Sequence, residues 1–363
     1  MLMARPLLVT VLAEPARLHG LAPAQWDLLL RQSAACGLHA SLYHLALGQD
    51  ALAGMPERAR RHLEWADLRW RAHGRAAQHE VACILEALSG IGVAPVLLKG
   101  AAYAAAGLQA ALGRRYADID ILVPKERLPD VEAALMLHGW RTTALDPYDQ
   151  RYYREWMHEL PPMSHAQRGN TVDVHHAIVP ETAAARPDPA KLRAAAVPVP
   201  GQPGLWTLCP HDMFLHSAVH LFWDGEFEHG LRDLFDLHRL ALQFGPQPGF
   251  WDGLAARARE LDLARPLFYA LRYCVRLLGT AVPTAVLAEA EAGPGRPKAA
   301  LLALMDALFL RVLPPHLGSA GPARRLAHGA LYVRGNWLRM PPLLLSRHLF
   351  HKAFLSPRLA EAG

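Results

Sequence analysis

Residues 116 to 124 read YADIDILVP, and from Asp118 to Val123 acids and branched apolar side chains alternate before the run turns wholly apolar. A period of two puts Asp118 and Asp120 on one face of a strand and Ile119, Ile121 and Val123 on the other. Burying a carboxylate is expensive unless a cation offsets it. A strand that is apolar on one side and acidic on the other therefore needs a counter-charge on its acidic side. Residues two apart on a strand are roughly 6.5–7 Å apart, so two carboxylates can share one cation or flank a pair of metals. A second run, TVDVHHAIV, sets Asp173 between Val172 and Val174 in the same alternation. If the two strands are neighbours, Asp173 is the third carboxylate. Three hard oxygen donors suit Mg²⁺, which also takes substrate phosphate oxygens. Spacing alone leaves a solvated acidic face as an equal reading, and the apolar flanks and the second acidic strand favour metal.

The neighbouring segments predict a small mixed sheet with helices on it, over about residues 91–185. VAPVLLKG reads as a strand, AAYAAAGLQAAL as a helix, KERLPDVEAALMLHGW as a helix closing at Gly139, and WRTTAL as a strand. Two strands in MSHAQRGNTVDVHHAIV meet near Arg168-Gly169-Asn170, where Gly and Asn accept positive φ. Residues 1–90 and 211–363 show the three- and four-residue apolar spacing of helices. The prolines of residues 186–210 predict a linker or a wrapping loop. The expected class is α/β (α+β), with the sheet-bearing core embedded between N- and C-terminal helical regions.

Lys99 and Gly100 sit where a strand enters a helix. Glycine lets backbone approach a ligand, a helix start offers free N–H groups to an anion, and lysine adds charge. Taken alone, an ordinary lysine followed by a turn glycine is the better reading. Arg114 and Arg115, just ahead of the acidic strand, suit either a triphosphate or solvent. His175 shares the face of Asp173, where it can position a substrate or hydrogen-bond a metal ligand, and a structural histidine fits equally.

Together these residues resemble a known family. The Lys-Gly turn, a helix, R-x-x-x-D-x-D followed by two apolar residues and Val, and a later V-D-apolar-H are similar to the uncharacterised nucleotidyltransferase family of bacteria. That family lies within the DNA polymerase β-like (minimal nucleotidyltransferase) superfamily. The matching positions are Lys99, Gly100, Arg114, Asp118, Asp120, Asp173 and His175, and the resemblance runs from about residue 25 to about 280. It implies that Asp118, Asp120 and Asp173 bind Mg²⁺, two ions by analogy, and a nucleoside triphosphate such as ATP. A nucleotidyl group would pass to an acceptor, a small molecule or peptide. Lys99, Gly100, Arg114 and Arg115 would contact phosphate. The same site could transfer a terminal phosphoryl group, or the chain could be a nucleotide-binding accessory protein with little turnover. The superfamily's usual turn is Gly-Ser, whereas this chain has Lys-Gly followed by Ala101.

Composition bounds the remaining classes. The chain has 363 residues, 52% of them apolar and 20% charged, as in ordinary globular proteins. Cys36, Cys83, Cys209 and Cys274 are far apart with no Cys-x-x-Cys pair, which predicts reduced thiols and a cytoplasmic location. The N-terminal segment has neither a charged leader nor a small-residue cleavage pattern, so no signal peptide is expected. No run of about 20 apolar residues predicts a membrane span. The net charge of +5 is concentrated: residues 321–363 carry +6 and the remainder −1. This basic, apolar-rich tail predicts packing onto the helical region first, and a membrane-surface or acidic-partner arm second. His216 and His220 have a zinc-compatible spacing but apolar neighbours, and Asp212 of His211-Asp212 reads as a helix-start acid.

Overall fold

In the computed structural model, residues 5–143, 146–318, 321–343 and 345–347 are described. The strands are β1 (Val96–Leu97), β2 (Asp118–Leu122), β3 (Trp140–Thr142), β4 (Met163–His165), β5 (Thr171–His175), β6 (Val197–Pro198) and β7 (Trp206–Thr207). They form one mixed sheet in the order β3-β4-β5-β2-β1-β7-β6. The two acidic strands are central neighbours and run parallel, with Asp118 opposite Thr171, Asp120 opposite Asp173 and Leu122 opposite His175. Their alternate residues Ile119, Ile121, Val172 and Val174 are buried in the core, so the predicted division into an apolar and an acidic face holds.

Helices cover the sheet from both ends of the chain. Ahead of it come α1 (Leu7–Ala13), α2 (Pro23–Ala35), α3 (His39–Gly48) and α4 (Glu57–Ser89). Within the sheet-bearing part are α5 (Lys99–Ala105), α6 (Leu128–Leu137), α7 (Pro147–Trp156) and α8 (Pro189–Ala194). Beyond it follow α9 (Pro210–Trp223), α10 (Gly230–Phe244), α11 (Phe250–Glu260), α12 (Ala264–Leu278), α13 (Thr284–Ala292), α14 (Ala299–Val312) and α15 (Pro322–Arg339). The centre of this last region is almost wholly apolar: Phe222, Phe235, Phe268, Tyr269, Tyr273 and Phe309 are all buried. The mixed α/β class with flanking helices is therefore the observed one.

Two local expectations change and a third holds. The alanine-rich segment is not one helix: α5 stops at Ala105, Gly107 takes φ +63°, and a 3₁₀ turn spans Gln109–Ala111. Glycine's freedom at positive φ breaks the run despite alanine's helix preference. The proline-rich stretch carries α8 and the two strands β6 and β7, with β7 adding to the sheet parallel to β1. Prolines at the edge β6 are tolerated because an edge strand leaves N–H positions unpaired. The turn after β4 does form a hairpin, with Gly169 at φ +72°.

The tail divides at Arg347. Helix α15 packs against α9 and α14, with Ala327 and Leu331 fully buried. Arg334 donates to the Phe222 carbonyl at 2.6 Å, and Thr182 donates its hydroxyl to the Arg339 carbonyl at 2.6 Å. Trp337, expected on the packed face, is instead exposed, as is Leu343, while Leu345 is buried. The apolar residues Leu349, Phe350 and Phe354 lie outside the described residues. Among the described residues no helix is long and apolar enough to cross a membrane, and the four cysteines are free thiols.

Candidate metal and nucleotide site

The parallel register of β2 and β5 brings Asp118, Asp120 and Asp173 to one place. One carboxylate oxygen from each lies within 4.8 Å of the others. Neighbouring strands are only about 4.8 Å apart, so opposite residues on one face approach more closely than residues two apart on a single strand. Asp120 is buried, while Asp118 and Asp173 are partly exposed.

Asp120 is held from two sides. Lys99 Nζ donates to its Oδ1 at 2.9 Å, and His175 Nε2 donates to the same oxygen at 2.9 Å. Burial pushes the Asp120 carboxyl up, but Lys99 and His175 outweigh burial and hold it well below the usual carboxylate range. Burial likewise opposes the charge of Lys99, yet Asp120, Asp224 and Asp118 keep its pKa above the ordinary lysine value. Asp173 has the opposite environment. Its Oδ1 is buried with no hydrogen-bond partner. Burial, then repulsion from Asp120 and Glu159, raises its pKa from 3.8 to about 7.

The turn that supplies Lys99 is backbone-strained. Lys99 opens α5 at φ +46°, in the left-handed region that a side chain normally disfavours by about 1–3 kcal/mol. The strain directs the ammonium toward Asp120. Gly100 is required by close approach: a Cβ there would lie 2.2 Å from Arg114 Nη1 and 2.7 Å from the Tyr116 ring.

Arg114 and Arg115 have different environments. Arg114 is buried, donating Nε to Asp236 Oδ2 at 2.5 Å, with Nη2 3.8 Å from Asp233. Its guanidinium also lies 5.6 Å from the Tyr103 ring centroid. The arginine expected at phosphate thus anchors the turn to α10, because a buried guanidinium must find carboxylate partners. Arg115 is exposed. Both line a cavity of about 740 Å³ whose walls also include Lys99, Gly100, Asp118 and Asp120. Trp65, Arg69 and His62 of α4 and His220, His229 and Arg232 face it from other elements. Arg69, Lys99, Arg115 and Arg232 put positive charge on a wall that also carries Glu226, Glu228 and Asp233, a mixed lining that a metal-bound anion suits.

The family match covers most of this architecture. The sequence profile described as "uncharacterised nucleotidyltransferase" matches residues 22–279, which include α2 to α4, the whole sheet and α9 to α12. The chain belongs to that uncharacterised nucleotidyltransferase family. Membership assigns it to nucleotidyl transfer as a class of reaction and makes it a transferase. No curated protein and no solved structure matches the chain.

The three carboxylates of this nucleotidyltransferase fit a hard divalent cation. Their oxygens converge, and the orphaned, buried Asp173 Oδ1 lacks the partner a metal would provide. Two charged groups beside the site, Glu159 and Asp224, have no sequence signal of their own. Glu159 forms a single antiparallel bridge with His175, and its Oε2 lies 3.2 Å from His175 Nδ1. It sits in MHELPP, where no alternation marks a strand. Asp224 binds His220 Nδ1 at 2.5 Å, just past the end of α9. His216, one turn before His220, is buried and its pKa is pushed down to about 3 by burial first and by Lys99 next. Asp212 lies in the first turn of α9, fully buried in a two-point pair with Arg257 at 2.7 and 2.8 Å.

Proposed function

We propose that the protein is a Mg²⁺-dependent enzyme that moves a nucleoside monophosphate from a nucleoside triphosphate to an acceptor hydroxyl. The observation that carries this reading is the convergence of Asp118, Asp120 and Asp173 within 4.8 Å, beside a cavity of about 740 Å³ lined by Lys99 and Arg115. These three aspartates would hold the metal, as one ion or as a pair. Bound Mg²⁺ supplies charge neutralisation for the triphosphate and lowers the pKa of the attacking hydroxyl.

The chain's own residues supply the rest. Lys99 locks Asp120 in its ionised form and brings a positive charge to the cavity wall. His175 fixes the same carboxylate from the other strand. Arg115, exposed on the wall, is free to meet phosphate oxygens, with Lys99 and the Gly100 backbone beside it. Arg114 supports this wall through Asp236. In the transfer, the acceptor hydroxyl oxygen bonds to the α-phosphorus as its proton passes to water, and pyrophosphate leaves with the electron pair of the broken P–O bond.

The test is incubation of the full chain with Mg²⁺, nucleoside triphosphates labelled at the α- or the γ-phosphate, and small molecules or peptides from a native extract. Transfer of α-label with release of pyrophosphate supports the proposal. Transfer of γ-label with release of diphosphate replaces it with phosphoryl transfer at the same site. Mg²⁺-dependent nucleotide binding with neither transfer would make the chain an accessory nucleotide-binding protein.

A further inference from the structure

Next to Asp120, through His175, three further metal-ligating side chains meet. His158, Glu159 and His175 each offer one donor atom, and these atoms lie within 4.8 Å of one another. The segment carrying His158 and Glu159 is laid against the end of β5 by backbone pairing. Leu160 N donates to the Val174 carbonyl at 2.9 Å, and His176 N donates to the His158 carbonyl at 2.8 Å.

The nitrogens at this point are unsatisfied. His175 uses Nε2–H on Asp120, which leaves its Nδ1 facing inward. That Nδ1 is buried without a hydrogen bond, although Glu159 Oε2 is 3.2 Å away, and His175 as a residue is only 3% exposed. His158 Nδ1 is likewise buried and unpartnered, and its ring centroid is 5.2 Å from that of His175. Buried polar atoms without partners are rare, and a cation bound among these three side chains would give both nitrogens one. Asp120, Glu159 and Asp224 bear on this cluster, opposed by Lys99 and by the His175 ring itself.

We infer that His158, Glu159 and His175 form a second metal site, separate from the aspartate site, for a Zn²⁺-type transition-metal cation. Two imidazoles and one carboxylate select such an ion over Mg²⁺, which prefers an all-oxygen shell. A tetrahedral ion with bonds of about 2.0–2.1 Å keeps its ligand atoms roughly 3.3 Å apart. Glu159 and His175 already stand at that separation, and a small ring rotation brings His158 to it. The arrangement also contains the outer support that metal-binding histidines normally have: the other nitrogen of His175 donates to the Asp120 carboxylate. The site would fix the His175 tautomer, and through it the position of Asp120. This inference stands without the nucleotidyl-transfer proposal, since it concerns different donor atoms.

The experiment uses the purified full chain, stripped of metal and titrated with Zn²⁺, with X-ray absorption at the zinc edge on the wild-type protein. The expected result is roughly one tightly held equivalent with two imidazole nitrogens in its shell. His158→Gln and Glu159→Gln should each weaken zinc binding by about tenfold or more, while Asp118→Asn should leave it intact. Using two zinc-site variants guards against one failing to fold, and the absorption spectrum needs no variant. Zinc bound through oxygen ligands alone, zinc lost in Asp118→Asn but kept in His158→Gln, or no tight zinc at all would overturn the inference. Mg²⁺ titration of the same variants reads the aspartate site separately, so failure of either site is seen independently.

Discussion

Asp120 and Asp173 stand directly opposite one another on parallel strands, yet Lys99 and His175 both donate to Asp120 while Asp173 keeps a buried oxygen with no partner. Their carboxyls are accordingly driven apart, Asp120 well below the usual range and Asp173 up to about 7. Paired titratable groups pushed in opposite directions are common at functional sites, which is the basis for testing these two first.

Asp173→Asn should therefore separate stability from function. The substitution removes a carboxylate that burial and Asp120 disfavour, so the metal-free protein should melt at the same temperature or higher. Mg²⁺ affinity and nucleotidyl transfer should both collapse. Calorimetric melting and Mg²⁺ titration of the variant check the two halves, and a large loss of stability would refute the assignment.

Asp120→Asn should behave differently. It leaves the Lys99 ammonium and His175 without their shared carboxylate, and breaking a buried pair typically costs about 3–5 kcal/mol. Lys99 keeps 20% side-chain exposure, which places the expected loss toward the lower end of that range. Denaturant unfolding of this variant beside Asp173→Asn measures the contrast.

The pH dependence follows from Asp173. Its folded pKa of about 7 lies above its unfolded value near 3.8, so the folded state holds the proton more tightly. That contribution is complete below the unfolded value and is lost as pH rises through about 7. The metal-free protein should lose stability across this window. Added Mg²⁺ must displace the proton at low pH, so it should raise the melting temperature more at pH values above 7 than below. Equal shifts on both sides would mean that Asp173 does not bind the metal.

The two neighbouring arginines should have opposite phenotypes. Arg115→Ala should weaken triphosphate binding more than nucleoside binding and leave stability nearly unchanged, because the side chain is exposed. Arg114→Ala strands Asp236 in the interior, while Asp233 keeps Arg232, and should destabilise by about 3–5 kcal/mol. Gly100→Ala, whose methyl group would meet Arg114, should destabilise by about 1–3 kcal/mol. Nucleotide titrations and melting curves of the three variants distinguish the roles.

Deleting residues 321–363 should lower thermal stability, because α15 buries Ala327 and Leu331 and binds back to Phe222 through Arg334. An unchanged melt would return the tail to a membrane-surface or acidic-partner role, which anionic vesicles would then report.

Local periodicity is a property of a short segment, and wherever it was strong it survived folding. The alternation in YADIDILVP and TVDVH set which side chains share a face, and Gly169 marked the hairpin turn. The helical spacing before and after the sheet was equally plain. Partner choice and register are different, because they depend on what a strand meets across the whole chain. Only the tertiary structure decided that β2 and β5 pair in parallel with Asp120 against Asp173. It also committed Arg114 to Asp236, 122 residues away, and brought β6 and β7 from the proline-rich stretch into the sheet. Glu159 and His158 carry no pattern of their own, and a single bridge to His175 places them. Side-chain periodicity is encoded within a few residues, whereas the pairing of buried charges is settled by whichever opposite charge the packed chain brings within reach.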